Sequence, residues 1–453
     1  MAPKYDVHPD RKYSIAVVGG GIGGLCTVIG LLHQGIPVQV YEGNPPKPYT
    51  LQVPQLTLSL LPAASAFAEI GAGVSLGPNA IRAMKLIDPA IHTGFQKCVT
   101  NNLWPENQHY WFSFRKGEER TSPANKFGTK FYDLWCETGQ SSVHRARFLD
   151  ELVALVPEGV AHFGKRLETI VDDEGKDYVE LKFADGTTVK HSAVIGCDGI
   201  KSRTREWLLG KDHPAAHAVF TGKYAYRGLI PMADAAALMG DELARNSQMY
   251  CGHGGHILTF PISGGDIMNV VAFGTKADGK WEDAEWVKPL DRQAMERDFE
   301  GWVEATRQIL SLMQKPDCWA LFQHPPAPTY YKNRVCMLGD SAHAGPPHNG
   351  AGAGQAIEDA LVMSRVMAQV YDGGEITRAF AAFDEVRRPR SQRQVQVSYE
   401  SGLLYDLQLP GIMDDWDKVR EKLATKQQFI WEHDLEADVR EVERIFREET
   451  SKL

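Results

Sequence analysis

The chain has 453 residues, of which 43% are hydrophobic and 24% charged, and its formal net charge is −9. This length exceeds one typical hydrophobic core, so we expect two or more structural units. The acidic balance argues against a general nucleic-acid binder and against docking on an anionic membrane surface. The seven cysteines form no CxxC pair, which favours reduced thiols in a reducing compartment over a disulfide framework or a zinc site.

The start of the chain has no targeting pattern. Its first residues are polar and contain no apolar signal core, and the only long apolar stretch runs from Leu51 to Phe67. That stretch is too short to span a bilayer and is interrupted by Pro54 and Pro62. We therefore expect a cytoplasmic protein without stable membrane insertion.

The residues from Ser14 to Glu42 have the pattern of a complete β-turn-α-β unit. A short apolar run is followed by Gly19, Gly21 and Gly24, then by an apolar helix and a second strand that Glu42 closes. The glycines permit a tight turn and close approach to a pyrophosphate, while the acid can accept hydrogen bonds from a ribose diol. The helix start offers unpaired N–H groups and the positive end of its dipole. The unit predicts a nucleotide site but does not distinguish FAD from NAD.

Two helices and a hairpin are expected next. Apolar spacing indicates helices over residues 78–96 and 146–156, and alternation around the Asp185-Gly186 turn indicates a hairpin over 178–190. A buried strand over 193–196 follows, and it ends just before Asp198-Gly199.

The range from about 215 to 320 is richer in strand-like segments and aromatic residues, which predicts a second, mainly antiparallel module. Its strand-like segments are Lys223 to Ile230, Gln248 to Cys251, His256 to Phe260, and Met268 to Phe273.

The rest of the chain returns to the first module and then becomes helical. Arg334 to Leu338 is a short buried strand that leads into Gly339-Asp340, and an apolar helix is expected over 354–370. The last seventy or so residues are charged and helical in pattern. The basic run from Asp384 to Arg393 favours a solvated or cofactor-adjacent helix face over a nucleic-acid patch.

Three separated segments together resemble the single-component flavoprotein aromatic hydroxylases, which include para-hydroxybenzoate and salicylate hydroxylases. The first is the glycine turn with its terminal acid, and the others are residues 198–205 and 339–355. Residues 69–73, 226–230 and 347–354 look like the salicylate hydroxylase branch and its fungal relatives, some of which act on polyketide-derived phenols.

The resemblance implies an α/β fold. It has a Rossmann-like FAD-binding domain with a parallel sheet, an antiparallel β-sheet substrate domain, and C-terminal helices. We divide the chain into an FAD-binding segment at 1–210, a substrate domain at 211–325, a return to the FAD-binding domain at 326–375, and a helical region at 376–453.

The resemblance also implies FAD as the cofactor. Glu42 would bind the adenosine ribose, Arg145 the flavin nucleotide, Asp340 the ribityl or pyrophosphate region, and Asp198 would lie near the pyrophosphate. The implied cofactor-binding residues are Gly19, Gly21, Gly24, Glu42, Ala72, Gly73, Arg145, Asp198, Asp340, Gly352 and Ala353. The last two begin a helix whose dipole would face the flavin.

The implied reaction is the hydroxylation of a small aromatic substrate with O2. FAD reduced by NADH or NADPH would form a C4a-hydroperoxide, and an electron-rich phenolate would attack it. A positive or hydrogen-bonding group would favour the phenolate. Arg227 and His348 are the candidate catalytic residues. The alternative for Arg227 is a strand-edge salt bridge.

Two departures from the family pattern bear on the reaction and on the sequence itself. Phe260 stands where the dearomatising relatives carry a tyrosine, and phenylalanine cannot hydrogen-bond a phenolate. This favours hydroxylation of a 2-hydroxybenzoate, with loss of carbon dioxide if the carboxylate-bearing carbon reacts, over a dearomatising phenol hydroxylase.

The long apolar connection from Leu51 to Ala66 is a lid, a membrane-contact loop or a translated intron. We hypothesise that it is a translated intron. Peptide mapping that detected this segment in the native protein would reject that hypothesis.

Two other function classes stay open: a flavin oxidoreductase that inserts no oxygen, and a flavin-binding protein without turnover. Product oxygen from labelled dioxygen distinguishes the first from a monooxygenase, and steady NAD(P)H consumption excludes the second. A monomer and a homodimer are both compatible with the sequence, as are NADH and NADPH.

Overall fold

The computed structural model describes residues 5–44 and 73–450. Ala72 and the connection from Leu51 to Ala66 lie outside the described residues. The strands are β1 Ile15–Val18, β2 Val38–Glu42, β3 Gly73–Ser75, β4 Val99–Thr100, β5 Tyr110–Lys116, β6 Lys130–Trp135, β7 Ser142–His144, β8 Ala161–Phe163, β9 Leu167–Val171, β10 Val179–Phe183, β11 Thr188–His191, β12 Ala193–Gly196, β13 Val219–Pro231, β14 Gln248–Gly252, β15 Gly255–Ile262, β16 Ile267–Thr275, β17 Val287–Pro289, β18 Gln314–Gln323, β19 Tyr331–Lys332 and β20 Val335–Met337.

The helices are α1 Ile22–His33, α2 Pro78–Ile87, α3 Pro89–Cys98, α4 Arg145–Val153, α5 Arg203–Leu209, α6 Met232–Met239, α7 Asp241–Ala244, α8 Arg292–Asp298, α9 Glu304–Leu312, α10 Asp340–His343, α11 Gly352–Ala368, α12 Ile376–Tyr405, α13 Trp416–Thr425, α14 Gln428–Trp431 and α15 Leu435–Thr450. Among the described residues, no helix is both long and apolar enough to cross a membrane.

The first sheet has the order β19-β20-β12-β1-β2-β8. All its neighbouring pairs are parallel except β19 with β20. The predicted β-turn-α-β unit forms β1, α1 and β2, and the predicted hairpin forms β10 and β11. The carboxyl ends of β1, β12 and β20 are neighbours in this sheet, so the three segments that follow these strands meet at one edge.

The second sheet has eight strands in the order β17-β18-β13-β16-β15-β14-β5-β6. Its pairs are antiparallel except β14 with β5. The mixed α/β fold class with parallel and antiparallel sheets and C-terminal helices is therefore confirmed. The division into four ranges stays a prediction; within it, β5 and β6 belong to the eight-stranded sheet although they fall in the range 1–210.

The helix expected over 78–96 is two helices. Asp88 adopts an extended conformation between α2 and α3, and its side chain accepts a hydrogen bond from the backbone N–H of Ala90. Pro89 lacks a backbone N–H, so it suits the first position of a helix and not an interior one. This N-cap followed by proline explains the break that apolar spacing alone did not show.

Small residues bring α1 and α11 close together on one side of the first sheet. A Cβ atom added at Gly23 would lie 2.9 Å from Cβ of Ala356, and one added at Gly30 would lie 2.9 Å from Cβ of Ser364. Side chains at these two positions would push the helices apart. The close packing buries the apolar faces of both helices in one core with the strands β1, β12 and β20.

Candidate active site

The turn after β1 combines glycines that packing requires with one that faces open space. Gly19 has φ +106°, and a Cβ there would collide with the carbonyl oxygen of Cys197; one at Gly24 would collide with the carbonyl oxygen of Gly19. A Cβ at Gly21 would meet no atom within 4 Å. Gly21 begins α1 with no side-chain cap, so the space beside it and the unpaired N–H groups form a cradle suited to a phosphate.

Glu42 lies beside this cradle at the end of β2. Its carboxylate accepts hydrogen bonds from the backbone N–H of Gly20 at 2.6 Å and of Asn44 at 2.8 Å. These bonds place an acceptor at the edge of the nucleotide turn, where the ribose diol is expected.

Asp198 directs its carboxylate into its own turn. It accepts hydrogen bonds from Ser202 Oγ at 2.5 Å and from the backbone N–H of Thr204 at 3.0 Å. Burial raises the pKa of the Asp198 carboxyl, although these hydrogen bonds act in the opposite direction. The carboxylate therefore shapes the start of α5, and its contact with a cofactor stays a prediction.

Arg205, the last residue of that motif, joins two of the three motifs. Its fully buried guanidinium donates to the carbonyl oxygens of Ala215, Pro325, Ser341 and Ala342 at 2.6 to 3.1 Å. No role was predicted for this arginine from the sequence. The feature of the sequence that could have pointed to it is an arginine at the end of residues 198–205, a segment that begins with a turn.

Asp340 and Arg145 come close together although 195 positions separate them. Asp340 follows β20 and keeps an accessible surface. The surrounding protein raises the pKa of its carboxyl, while the nearby charges of His343 and Arg145 lower it. An acid and an arginine are thus available to the same ligand, and their contact with a cofactor stays a prediction.

A buried ionic network holds the turn before Asp340 and the start of α11. Asp359 accepts hydrogen bonds from the backbone N–H of Gly339 at 2.9 Å, from His343 Nε2 at 2.6 Å and from Arg387 Nε at 2.8 Å. Arg387 also donates to Glu358 at 2.8 Å. The expectation that the basic run lies on a helix face beside solvent or cofactor is wrong for Arg387, which is fully buried among carboxylates.

The start of α11 also leaves room for a ligand. A Cβ at Gly352 would meet no atom within 4 Å, and no side chain caps the helix. Ala353 is the next residue of this first turn and is half-buried.

Gly73, another predicted cofactor-binding residue, lies in β3, where an added Cβ would be 2.8 Å from the ring of Phe260. Gly73 thus brings β3 against the eight-stranded sheet.

The eight-stranded sheet has two different faces. One face packs Tyr226, Ile257 and Val270 on α6, α8 and α9. The opposite face, which we call the inner face, carries the alternate side chains. Those that matter here are Lys223, Arg227, His256, Leu258, Phe260, Asn269, Val271, Phe273 and Trp319. Because cross-strand partners point to the same side of a sheet, the register assigns these residues together.

Arg227 lies on the inner face without a carboxylate partner. Its strand pairs with both β16 and β18, so it is not at a sheet edge. Burial lowers the pKa of its guanidinium to about 10. Its Nε has no hydrogen-bond partner among the described residues, and its nearest ring contact is Trp319, at 5.1 Å from the ring centroid. The strand-edge salt bridge considered for Arg227 is therefore absent from the described part of the chain.

His348 ends a buried chain of polar side chains. Its Nδ1 lies 3.3 Å from His256 Nε2, and His256 Nδ1 lies 2.5 Å from Asp406, which also pairs with Lys223. Burial lowers the pKa of both imidazoles. His348 Nε2 has no partner among the described residues and lies beside Gly402. A catalytic role for His348 stays a prediction.

Several of these polar residues were not predicted from the sequence. Lys223 shares the inner face of β13 with Arg227, His256 stands on a strand whose other inner-face residues are apolar, and Asn269 interrupts the run from Ile267 to Phe273. A polar side chain on the buried face of a strand was the signal that could have found them.

The residues at the edge of the first sheet fit a dinucleotide cofactor. The open cradles at Gly21 and Gly352 admit backbone approach, Glu42 offers an acceptor, and Asp340 and Arg145 offer opposite charges. In the described residues these groups come from three separate segments of the chain. Their convergence is what an FAD site requires.

Comparisons with known proteins show the family of this chain. A family model described as an FAD binding domain matches residues 105–398. The chain is 42% identical over 446 residues to 6-methylsalicylate 1-monooxygenase atA of Aspergillus terreus, covering 98% of this chain and 94% of that one. It is 38% identical over 441 residues to salicylate hydroxylase of Pseudomonas putida, covering 94% of each.

A solved structure leads to the same conclusion. A structure titled as a salicylate hydroxylase substrate complex superimposes with a TM-score of 0.81 at 32% identity, covering 95% of this chain and 98% of that one. The chain therefore belongs to the FAD-dependent aromatic monooxygenases, in the branch of salicylate hydroxylase and its fungal relatives.

Proposed function

We propose that this protein uses NADH or NADPH and O2 to hydroxylate a phenolic acid of the 2-hydroxybenzoate type. One oxygen atom of O2 becomes the new ring hydroxyl and the other becomes water, with the hydride of the nicotinamide as the reductant. Where the carboxylate-bearing carbon is attacked, carbon dioxide leaves and the ring stays aromatic.

The observation that carries this proposal is the unpaired cation on the inner face. Arg227 is half-buried, and an arginine that is partly removed from water is normally paired with a counter-ion because leaving it unpaired is costly. Arg227 has no carboxylate partner among the described residues, and its guanidinium stays protonated at neutral pH because its pKa is still about 10. An anionic substrate would supply the missing charge, as a carboxylate or a phenolate.

The cofactor side of the proposal uses the residues at the edge of the first sheet. Glu42 would hold the adenosine ribose, Arg145 and Asp340 the middle of the molecule, and the start of α11 the flavin ring. When bound, FAD supplies the redox chemistry that activates O2. The chain supplies orientation and a site with little water.

His348 is the second proposed catalytic residue. Burial keeps its imidazole neutral, because its pKa is lowered well below the ordinary value. A neutral imidazole with an unpartnered nitrogen suits the acceptance of a phenolic proton. His348 would then favour the phenolate, whichever of the two anionic groups Arg227 binds.

Phe260 disfavours the dearomatising alternative. Its ring lies on the inner face against Gly73, and it offers no hydrogen-bond donor to a phenolate. The names of the two relatives, a 6-methylsalicylate monooxygenase and a salicylate hydroxylase, also support a 2-hydroxybenzoate as the substrate.

The test is to follow NADH and NADPH oxidation by the FAD-loaded enzyme with salicylate, 6-methylsalicylate and orsellinate, while measuring carbon dioxide and oxygen incorporation from labelled O2. We expect stimulated oxidation and one labelled oxygen atom in the product. Phenol and benzoate, which each lack one of the two substituents, are the matched controls. Oxidation that no phenolic acid stimulates would contradict the proposal.

Arg227 variants test the role of the cation. Arg227→Gln should weaken salicylate binding by about 100-fold, the value of a charged hydrogen bond in a buried site. Arg227→Lys should retain part of the affinity because it keeps the charge but not the fork of donors. Equal affinities for all three proteins would exclude Arg227 from the substrate site.

A further inference from the structure

Trp319 is placed to act together with Arg227. It lies on β18 opposite Ala225 of β13, so Arg227 is its diagonal neighbour on the same face. The guanidinium carbon of Arg227 lies 5.1 Å from the centroid of the Trp319 ring. This is within the range of a cation–π contact, which restrains the guanidinium without neutralising it.

The indole N–H of Trp319 is a donor without an acceptor. Its Nε1 is buried and has no hydrogen-bond partner among the described residues. Buried indole N–H groups usually have a partner, because leaving one unpaired is costly. Two unsatisfied donors, Trp319 Nε1 and Arg227 Nε, therefore occur on adjacent strands of one face.

The protein's own carboxylate does not use these donors. Asp317 is opposite Arg227 in the strand register, yet no ion pair joins them within 4.0 Å in the described structure. Burial raises the pKa of Asp317. Trp319 Nε1 and Arg227 Nε therefore lack an acceptor although Asp317 lies opposite Arg227 on the neighbouring strand.

We propose that Trp319 determines specificity for a carboxylate: its ring holds the guanidinium of Arg227, and its Nε1–H donates to an oxygen of the carboxylate that Arg227 binds. This inference rests on the proposed function and narrows it. The site would select aromatic acids over neutral phenols, because a carboxylate brings a negative charge and two acceptor oxygens, one for each donor. Methyl or hydroxyl groups elsewhere on the ring would not affect this selection.

The first test uses ligands and the unaltered enzyme. Dissociation constants of salicylate, salicylamide and phenol are measured with the oxidised FAD-loaded protein by calorimetry. Salicylamide keeps the ring and the hydroxyl but loses the negative charge. We expect it to bind about 100-fold more weakly than salicylate. Equal binding of salicylate and salicylamide would overturn the inference.

The second test uses two variants of Trp319. Trp319→Phe keeps a ring beneath the guanidinium and removes the N–H, so the salicylate dissociation constant should rise about 10-fold. Trp319→Leu removes both contacts and should raise it further. The phenol dissociation constant should change less than about twofold in either variant. The control is Trp281→Phe, since Trp281 Nε1 already donates to the carbonyl oxygen of Glu285.

The outcomes separate this inference from the proposed function. If the wild-type enzyme neither binds salicylate nor responds to it, the proposed function fails, and this inference fails with it. If salicylate stimulates the wild type and Trp319→Phe binds it equally well, only the inference on Trp319 fails. An equal loss of salicylate and phenol affinity would also overturn it, because that pattern indicates a structural role.

Discussion

His256 donates its Nδ1 proton to Asp406 across 2.5 Å, and both side chains are fully buried. An ionised carboxylate only accepts hydrogen bonds, so this contact assigns the tautomer of His256. Its Nε2 is then an acceptor for the Nδ1–H of His348 at 3.3 Å. The charge of Asp406 is balanced by Lys223, which is also buried. The hydrogen bonds between Asp406 and His256 and between His256 and His348 therefore fix the orientation of the His348 ring.

Asp406→Asn should destabilise the protein by about 3 to 5 kcal/mol, because it leaves Lys223 without a counter-ion in the interior. Urea unfolding of the wild type and the variant measures this. Asp278→Asn is the matched control, since Asp278 pairs with Lys276 at the surface and its loss should change the free energy of unfolding far less.

Adding Lys223→Met to Asp406→Asn should restore part of the lost stability, because the unpaired charge is then gone. If the double variant lost more free energy of unfolding than the two single variants lose together, the pairing of Lys223 with Asp406 would be contradicted.

Two glycines of the nucleotide turn should respond differently to alanine. Gly21→Ala should leave the unfolding of the FAD-free protein unchanged, because the added Cβ meets no atom within 4 Å and φ is −73°. It should weaken FAD binding at least about tenfold, because the methyl group occupies the cradle. Flavin fluorescence titration measures the affinity.

Gly24→Ala should instead destabilise the FAD-free protein by about 1 to 3 kcal/mol, since its Cβ would collide with the Gly19 carbonyl oxygen. If Gly21→Ala unfolded the protein while Gly24→Ala only weakened FAD binding, the assignment of the cradle would be wrong.

Arg387 and Arg393 lie on the same helix but should differ in their effect on stability. Arg387→Met removes the buried partner of Glu358 and Asp359, and we expect a loss of about 3 to 5 kcal/mol. Arg393→Met removes an exposed guanidinium whose recorded contact is with the ring of Phe429, and the expected loss is below about 1 kcal/mol. Denaturant unfolding compares them; equal losses would refute the network.

The buried Lys426 should make stability rise with pH above neutrality. It follows α13 and donates to Asn349 Oδ1 at 3.0 Å, and burial lowers its pKa from 10.5 to about 7. Between these two values the unfolded chain binds the proton that the folded chain has released. Unfolding therefore becomes less favourable as pH rises from 7 to 10.5, by at most about 1.4 kcal/mol per pH unit.

Lys426→Met should lack this rise. The free energy of unfolding of the variant relative to the wild type is measured in urea at pH 7, 8 and 9, and it should fall steadily as pH increases. Lys422→Met, at an exposed position of α13, should show no such trend. A constant difference for Lys426→Met would mean that its pKa is ordinary.

Local patterns predicted much of the nucleotide end of the molecule. The glycine spacing, the helix and the second strand of Ser14 to Glu42 interact over a few residues, so the sequence shows them directly. The same holds for the hairpin of β10 and β11, whose alternation and turn are adjacent. The break at Asp88 was missed because apolar spacing continues across it, although the cap and proline were present.

The sequence by itself thus determined the fold class, the family and the residues of the nucleotide turn. Only the tertiary structure decided which polar groups are paired inside. His256 and Asp406 are 150 positions apart, and Arg387 reaches Glu358 from another helix. Such pairs carry no local period, because the two partners lie on separate elements that meet only after distant segments have packed. For the same reason, only the fold showed that Arg227 and Trp319 share a face and lack a partner.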